Sequence, residues 1–449
     1  MMRTEQLQHG PFTLRNIRFA YFRGVSIDSR RIPEAHIFCA LKGEHTDGHR
    51  FVEPALKNGA MAALVNREYA AGADPAAPLI VVRDTYEGLK DMARIYAQSL
   101  DVPVFAITGS AGKTSTRRLL AAVLRSKMLI AESPGNFNNH IGLPLAVLDI
   151  KGDEDIAVLE MGTSGIGEIR ELCGIAVPDY GLITAIAHAH IGGLGSIENV
   201  QKAKYELFDA VKADGLLFVN LDDPRIAAYP RDARRRVTFS LEKPADFTLP
   251  LRSVDKEGRY TLNMEGGDCH LRSAGRGAAY NAAAAYAAAR MLGLERDDII
   301  RQIQNFRPSA GRGQVQAWRG ITLIDDSYNA NPLSVANALD AFKAMRVSGS
   351  KILVFGDMLE MGDEARRSHE EVADALADSD IRYLFCLGMD SRYTVRKARQ
   401  NGRPEAKHYE DKRTLAGDLA AVVKPGDAVL FKASRGVAIE DLISMIKEI

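Results

Sequence analysis

The chain has 449 residues, 46% of them hydrophobic and 26% charged, with 58 Lys and Arg matched by 58 Asp and Glu. At about 100–200 residues per domain, this length predicts two to four domains of ordinary composition, able to bury sizeable cores. A formal net charge of zero leaves no global field to gather a polyanion and excludes the basic excess of a nucleic-acid binder, so an anionic substrate has to be held by local donors.

The first segment, MMRTEQLQHGPFTLRNIRFAYF, scatters its charges and lacks the apolar run of a signal peptide. Residues 1–100 hold short strands (IFCALKG, AALVN, LIVVRD) and close with an amphipathic helix, TYEGLKDMARIYAQSL. Asp101-Val-Pro reads as a hinge, because the residue before proline is pushed away from helix. From 101 to 308 apolar runs alternate with helical patterns: VFAITG and STRRLLAAVLRS, IAVLEMG and GEIRELC, YGLITAIA and a helix over 197–211, then GLLFVN. That alternation predicts a parallel sheet with crossover helices and functional groups at the carboxyl ends of its strands. The stretch 233–268 is less regular and is expected to form an antiparallel edge. The alanine-rich run 278–289 is too short to cross a membrane. After Arg307-Pro-Ser-Ala-Gly-Arg-Gly a third α/β unit, 309–449, is predicted, with strands at ITLIDDS, KILVFGDM, YLFCLG and AVLFKAS. Cys39, Cys173, Cys269 and Cys386 are far apart and form no C-x-x-C pair, which predicts separate thiols in a reducing, cytoplasmic setting.

The chemistry concentrates in the central block. GSAGKTS, residues Gly109, Ser110, Ala111, Gly112, Lys113, Thr114 and Ser115, lies between an apolar strand and a helix. It is shorter than the full G-x-x-x-x-G-K-[ST] pattern, since Ile107 stands at the first glycine position. The flanks nonetheless predict backbone amides and a helix N-terminus facing one anion, with Lys113 reaching terminal phosphates and the Thr114 hydroxyl available to Mg²⁺; the bland alternative is a surface Gly-Lys turn. Glu160 ends the strand IAVLE, where a carboxylate suits a metal or a solvated edge. His190 in IAHAHIGGLGS is compatible with a ligand or a hydrogen-bonded structural residue. Lys204 in VQKAKYELF can snorkel, or, if buried, keep a neutral amine that adds CO₂ to become an anionic carbamate.

Taken together, TGSAGKTS, GNFNNHIGLPL, EMGTSGIGEI, AHIGGLGS, KAKYELF and IDDSYNANPLS resemble the ordered motifs of the Mur ligases. The similarity continues through VSIDSRRIPEAHIFCALKGEHTDGHRF, VFGDMLEMGDEARRSH and GDAVLFKASRG, and so covers nearly the whole chain. IDDSYNANP and the N-terminal segment favour the branch that joins D-alanyl-D-alanine to a UDP-MurNAc-tripeptide.

The resemblance implies three α/β domains: an N-terminal UDP-binding domain, a central P-loop ATPase domain with a parallel sheet, and a C-terminal Rossmann-like domain. It implies ATP-driven amide formation through an acyl phosphate, with two Mg²⁺ ions and a carbamylated Lys204, in a monomer. On the same basis Lys113 binds the β/γ-phosphates, Thr114 and Glu160 bind metal, and His190 with Lys204 holds the second ion. Arg312 reaches the γ-phosphate, Asn281 belongs to the nucleotide site, and Asp326 and Tyr328 contact ribose and base. Asn138 and Asn139 lie near the reactive carboxylate, while Asn329, Asn331 and Asp357 are candidates for holding the dipeptide. Ser29, Arg30, Lys42 and Asp47 are candidates for the UDP pocket. Two positions depart from the family pattern. GRGAAYN has Gly277 and Ala278 where G-R-H-N-x-x-N carries His and Asn, and Gly192 stands where an acidic residue is common. These leave a Mur-type ligase with another acceptor or donor as an alternative; a plain P-loop ATPase or kinase would need neither Lys204 nor the N-terminal segment.

Overall fold

Apolar runs without internal alternation become strands covered on both faces by helices, and the computed structural model, which describes residues 1–189, 191–230 and 235–448, uses them in three successive sheets. The first has the strand order Thr13–Arg15, Leu79–Val82, Ala63–Asn66, His36–Cys39, Gly24–Ser26, all parallel except the first. The helix Thr85–Gln98 follows; the Asp84 carboxylate accepts the Tyr86 and Glu87 amides at its start. Its apolar face, with Leu89, Met92 and Ala93, shares one core with Leu143, Leu145 and Leu172 of the next unit. Lys90, from the same helix, pairs with Glu87 and reaches across to Glu171.

The central sheet has seven parallel strands in the order Phe247–Thr248, Arg235–Ser240, Leu216–Asn220, Tyr180–Ile183, Val104–Thr108, Ile156–Glu160, Ile130–Glu132. The expected antiparallel edge within 233–268 is corrected here: Arg235–Ser240 and Phe247–Thr248 extend the sheet in parallel. Antiparallel pairing begins at Leu251, in a separate three-stranded sheet (Leu251–Val254, Arg259–Met264, Gly267–Ala274). Polar residues at 241–246 break the alternation and mask the short Phe247–Thr248 strand in the sequence.

The third sheet has six strands in the order Gln314–Trp318, Ile321–Asp325, Ala428–Lys432, Lys351–Gly356, Ile381–Leu387, Glu405–Tyr409; only the first is antiparallel. Gln314–Trp318 and Glu405–Tyr409 are edge strands with polar alternation, and neither was expected from the apolar runs. Among the described residues no helix is long and apolar enough to cross a membrane. All four cysteines are buried and free.

The alanine run forms the helix Arg276–Met291, whose residues 282–289 are buried around its whole circumference. It packs on the helix Lys113–Leu124 that follows the phosphate loop. Small side chains let the two axes come close, which seats Asn281 against the loop. Replacing the fully buried Ala285, one turn on from Asn281 on the same face, with Leu should overpack this contact at a cost of about 1–3 kcal/mol. Thermal unfolding is expected to show a lowered midpoint; an unchanged midpoint would refute the close packing.

Candidate functional site

The strand Val104–Thr108 ends in a loop that two glycines shape. Gly109 has φ +148° and Gly112 φ +84°, and a Cβ on Gly112 would stand 2.7 Å from Asn281 Oδ1. Thr184 pins the loop by donating its hydroxyl to the carbonyls of Thr108 (3.2 Å) and Ala111 (2.5 Å). Ser110 donates its amide to the Ala185 carbonyl (2.8 Å) and its hydroxyl to that of Ala187 (2.9 Å). The helix then starts at Lys113, so its unpaired first-turn amides open toward the cavity with the positive end of the dipole.

Thr114 stands at the centre. Its hydroxyl donates to Glu160 Oε1 (3.1 Å) and accepts from Arg312 Nη2 (3.1 Å), joining the central unit to the C-terminal one. Glu160, 2% exposed, also accepts from Asn138 Nδ2 (2.8 Å), and Arg117 Nε lies 3.4 Å from its other oxygen. Arg117 is 1% exposed and donates further to the carbonyls of Ser133 and Gly135. Arg312 lies over the Tyr328 ring, 3.9 Å from its centroid. Lys113 Nζ donates to the Gly109 carbonyl (2.6 Å). Burial pulls the Lys113 ammonium below its ordinary range, with Arg312 adding and Glu160 opposing. Two cations and a helix N-terminus thus face one cavity, an arrangement that a polyphosphate would relieve.

Lys204, on the helix Ile197–Ala210, is 1% exposed, and its Nζ has no hydrogen-bond partner among the described residues. Burial drives it well below the usual lysine value; the Lys113 charge acts in the same direction, and Glu168 and Glu206 act against both. The two carboxylates are already engaged. Glu206 accepts the Gly167 and Arg170 amides, and Glu168 accepts the Ser164 amide and the hydroxyls of Thr163 and Ser164. His190 lies outside the described residues. Among the described residues no group of three or more His, Cys, Asp or Glu could hold a metal ion. The oxygen donors at hand are Thr114 and Glu160, and a carbamate on the orphaned Lys204 amine would add more.

A cavity of about 930 Å³ takes in residues 110–115, Asn138, Asn139, Glu160, Asn281, Arg312, Asp326, Tyr328, Asn329 and Asn331. Several of these carboxamides serve the framework. Asn139 Oδ1 accepts the amides of Ile141 and Gly142 just before and at the start of the helix Gly142–Leu148. Asn331 caps the helix Pro332–Ala344 through the Ser334 amide (2.9 Å), and its Nδ2 donates to the Ser110 carbonyl (3.0 Å), a second tie between units. Asn281 Oδ1 accepts from Thr116 (3.0 Å). Burial pushes the Asp326 carboxyl above its usual range, against the pull of Lys432 Nζ at 2.9 Å, and Lys432 also donates to the Asn329 carbonyl. Asp357 does not line the cavity; its carboxylate accepts the amides of Met389, Asp390 and Ser391 at the start of the helix Ser391–Asn401.

Ser29, Arg30, Lys42 and Asp47 lie on the first unit, outside this cavity. Arg30 pairs with Asp28, Asp47 accepts from the His49 amide and ring, and the Ser29 and Lys42 carbonyls accept from Asn58 and Tyr86. Gly192 donates its amide to the Glu360 carbonyl (3.0 Å), and a Cβ there would lie 3.1 Å from that oxygen. An acidic side chain at 192 would therefore require the facing loop to shift. Arg117, Thr184 and Lys432 escaped sequence reasoning. The only cue for Arg117 was a charged residue one turn after Lys113 on a helix with buried neighbours.

Three family models match: Mur ligase family, catalytic domain, over 21–97; Mur ligase middle domain, over 107–289; and Mur ligase, glutamate ligase domain, over 311–435. The chain is 34% identical over 429 residues to the UDP-N-acetylmuramoyl-tripeptide–D-alanyl-D-alanine ligase of Bacillus subtilis (strain 168), covering 95% of this chain and 93% of the relative. It is 32% identical over 433 residues to the Escherichia coli (strain K12) protein of the same name, covering 94% and 93%. Among solved structures it is similar to MurF from Acinetobacter baumannii (TM-score 0.87, 26% identity, 100% and 99% covered). It is also similar to MurF ligase from Thermotoga maritima in complex with ADP (TM-score 0.82, 29% identity, 95% and 97% covered).

Asn331→Ala should cost about 1 kcal/mol in denaturant unfolding through the lost cap. Asn331→Asp keeps the cap but cannot donate to Ser110; its unfolding midpoint should recover while amide exchange across 109–112 stays faster than in the parent. Exchange as slow as in the parent would refute the tie.

Proposed function

This chain belongs to the Mur ligase family, and we propose on that premise that it joins D-alanyl-D-alanine to UDP-MurNAc-tripeptide at the expense of ATP, a step in peptidoglycan precursor synthesis. The observation that carries the reading is the Thr114 hydroxyl between Glu160 of the central unit and Arg312 of the C-terminal unit, inside a cavity large enough for several reactants. The names of the relatives support the substrates, and the ADP complex of one structural relative supports the nucleotide.

A carboxylate oxygen of the tripeptide attacks the γ-phosphorus, ADP leaves, and an acyl phosphate forms. The free amine of the dipeptide then attacks the acyl carbon, and collapse of the tetrahedral adduct expels phosphate. Lys113, the first-turn amides and Arg312 stabilise the charge on the transferring phosphoryl group. Holding three reactants between facing units supplies orientation, and excluding water protects the acyl phosphate from hydrolysis. Thr114, Glu160, His190 and Lys204 as its carbamate are the ligands we assign to two Mg²⁺ ions. The orphaned, buried Lys204 amine fits that assignment, because a neutral amine can take up CO₂ and present oxygens. Bound there, Mg²⁺ supplies neutralisation of phosphate charge.

Besides the amides of the phosphate loop, 109–115, we assign Asn281, Asp326 and Tyr328 to the nucleoside side. Asn138 and Asn139 we assign to the neighbourhood of the peptide carboxylate, and Asn329 with Asn331 to the dipeptide side. Ser29, Arg30, Lys42 and Asp47 we assign to the UDP end, with domains at 1–100, 101–308 and 309–449. A cytoplasmic monomer completes the reading.

Incubating the protein with ATP, Mg²⁺ and UDP-MurNAc-tripeptide, with and without D-Ala-D-Ala, tests it. Phosphate release should depend on the dipeptide and yield a UDP-linked pentapeptide by mass; ATP turnover without that product would refute the acceptor assignment. Lys204→Ala should lose turnover, with partial return on adding a small carboxylate such as formate. Full activity in that variant would refute the carbamate.

A further inference from the structure

One buried cation lines the cavity and has no part in the scheme above. Lys432 ends the strand Ala428–Lys432 and is 3% exposed. Its ammonium carries three N–H donors, and three acceptors of one loop surround it. They are the Asp326 carboxylate (2.9 Å), the Asp326 carbonyl (3.3 Å) and the Asn329 carbonyl (2.6 Å). No donor is left for a phosphate or a substrate carboxylate, so this lysine serves the loop. Two residues on, the equally buried Ser434 donates its hydroxyl to the Ala330 carbonyl (3.1 Å). The loop 326–331 therefore hangs on the end of one strand, in a place where an unmet carbonyl would cost stability.

The other side of that loop meets the phosphate-handling groups. The Tyr328 amide donates to the Gly311 carbonyl (2.9 Å), and the Gly311 amide donates to Asp325 Oδ2 (3.1 Å). Gly311 has φ +74°, and a Cβ on it would stand 3.2 Å from the Tyr328 nitrogen and Cβ. The residue before Arg312 is thus clamped to the loop, while the Arg312 guanidinium lies over the Tyr328 ring and reaches Thr114. Asn331, at the far end of the loop, crosses to the Ser110 carbonyl. Both of these ties from the C-terminal unit to the phosphate loop lean on the segment that Lys432 holds. We propose that Lys432 is a positioning residue for Arg312: by holding Asp326 and Asn329 it fixes Tyr328, and Tyr328 with Gly311 sets the guanidinium at the transferring phosphoryl group. Displacing such a donor by about 1 Å costs on the order of 100-fold in rate, although no group that touches substrate is lost.

The inference rests on the ligase reading, and a double-mutant cycle separates the two. Dipeptide-dependent phosphate release would be measured for the parent, Lys432→Met, Arg312→Ala and the double variant, each below its thermal midpoint. Lys432→Met should lower kcat about 10- to 100-fold and leave KM for UDP-MurNAc-tripeptide unchanged. In the Arg312→Ala background the same change should cost less than about 3-fold, because residues that act through one another are not additive. Ser434→Ala removes one anchor of the loop and leaves every charge in place, so it decides the matter if Lys432→Met, with Asp326 unpaired, does not fold. It should give a smaller fall in kcat, again only while Arg312 is present. Equal factors with and without Arg312 would mark a merely structural role and overturn the inference, as would an unchanged kcat in the loop variants. In either case an active parent would keep the ligase reading. A parent protein that releases no dipeptide-dependent phosphate would overturn both.

Discussion

The site depends on one hydroxyl. Thr114 donates a hydrogen bond to a buried glutamate and accepts one from an arginine of another unit, so the arrangement of two units is read out at a single oxygen. Neither neighbour is free to move alone. Glu160 is held by Asn138 and by Arg117, which is itself tied to Ser133 and Gly135; Arg312 is held against the Tyr328 ring. Groups that have to meet phosphate at closely defined positions are thereby preorganised, which is where electrostatic catalysis draws its advantage.

Around that centre the fold solves a packing problem with unusually small side chains. Alanines carry the helix Arg276–Met291 close to the phosphate-loop helix. Gly112 leaves space for the Asn281 oxygen, and Gly192 for the Glu360 carbonyl. The same economy at Gly275 and Gly277 lets the helix Pro332–Ala344 approach from the C-terminal unit, where Cβ atoms at those positions would meet Ala341 and Asn337. The two departures from the family pattern thus coincide with places where the units touch.

Much of this was legible in the sequence. The strand–glycine–lysine–helix order of VFAITGSAGKTS predicted the phosphate loop, and the helix does start at Lys113. The alternation of apolar runs and helical patterns predicted the parallel central sheet. Burial of Lys204 was only one of two readings, because a lysine between apolar neighbours snorkels as readily as it buries; the structure takes the buried one. What stayed hidden was long-range pairing. No local pattern tells that Arg117 serves Glu160, that Thr184 pins the loop, that Asn331 crosses to Ser110, or that Asp357 spends its carboxylate on a helix start. Asparagine and aspartate suit both caps and ligands, so only the tertiary arrangement separates the two uses.

The central claim is that these groups activate a carboxylate by phosphorylating it, and oxygen tracing tests it most directly. UDP-MurNAc-tripeptide carrying ¹⁸O in its terminal carboxylate would be turned over with ATP and D-Ala-D-Ala, and the released phosphate analysed by mass. The acyl-phosphate route predicts that one carboxylate oxygen leaves in each phosphate. Phosphate without the label would mean that ATP is cleaved by water, and the account of the site as a carboxylate-activating centre would fail.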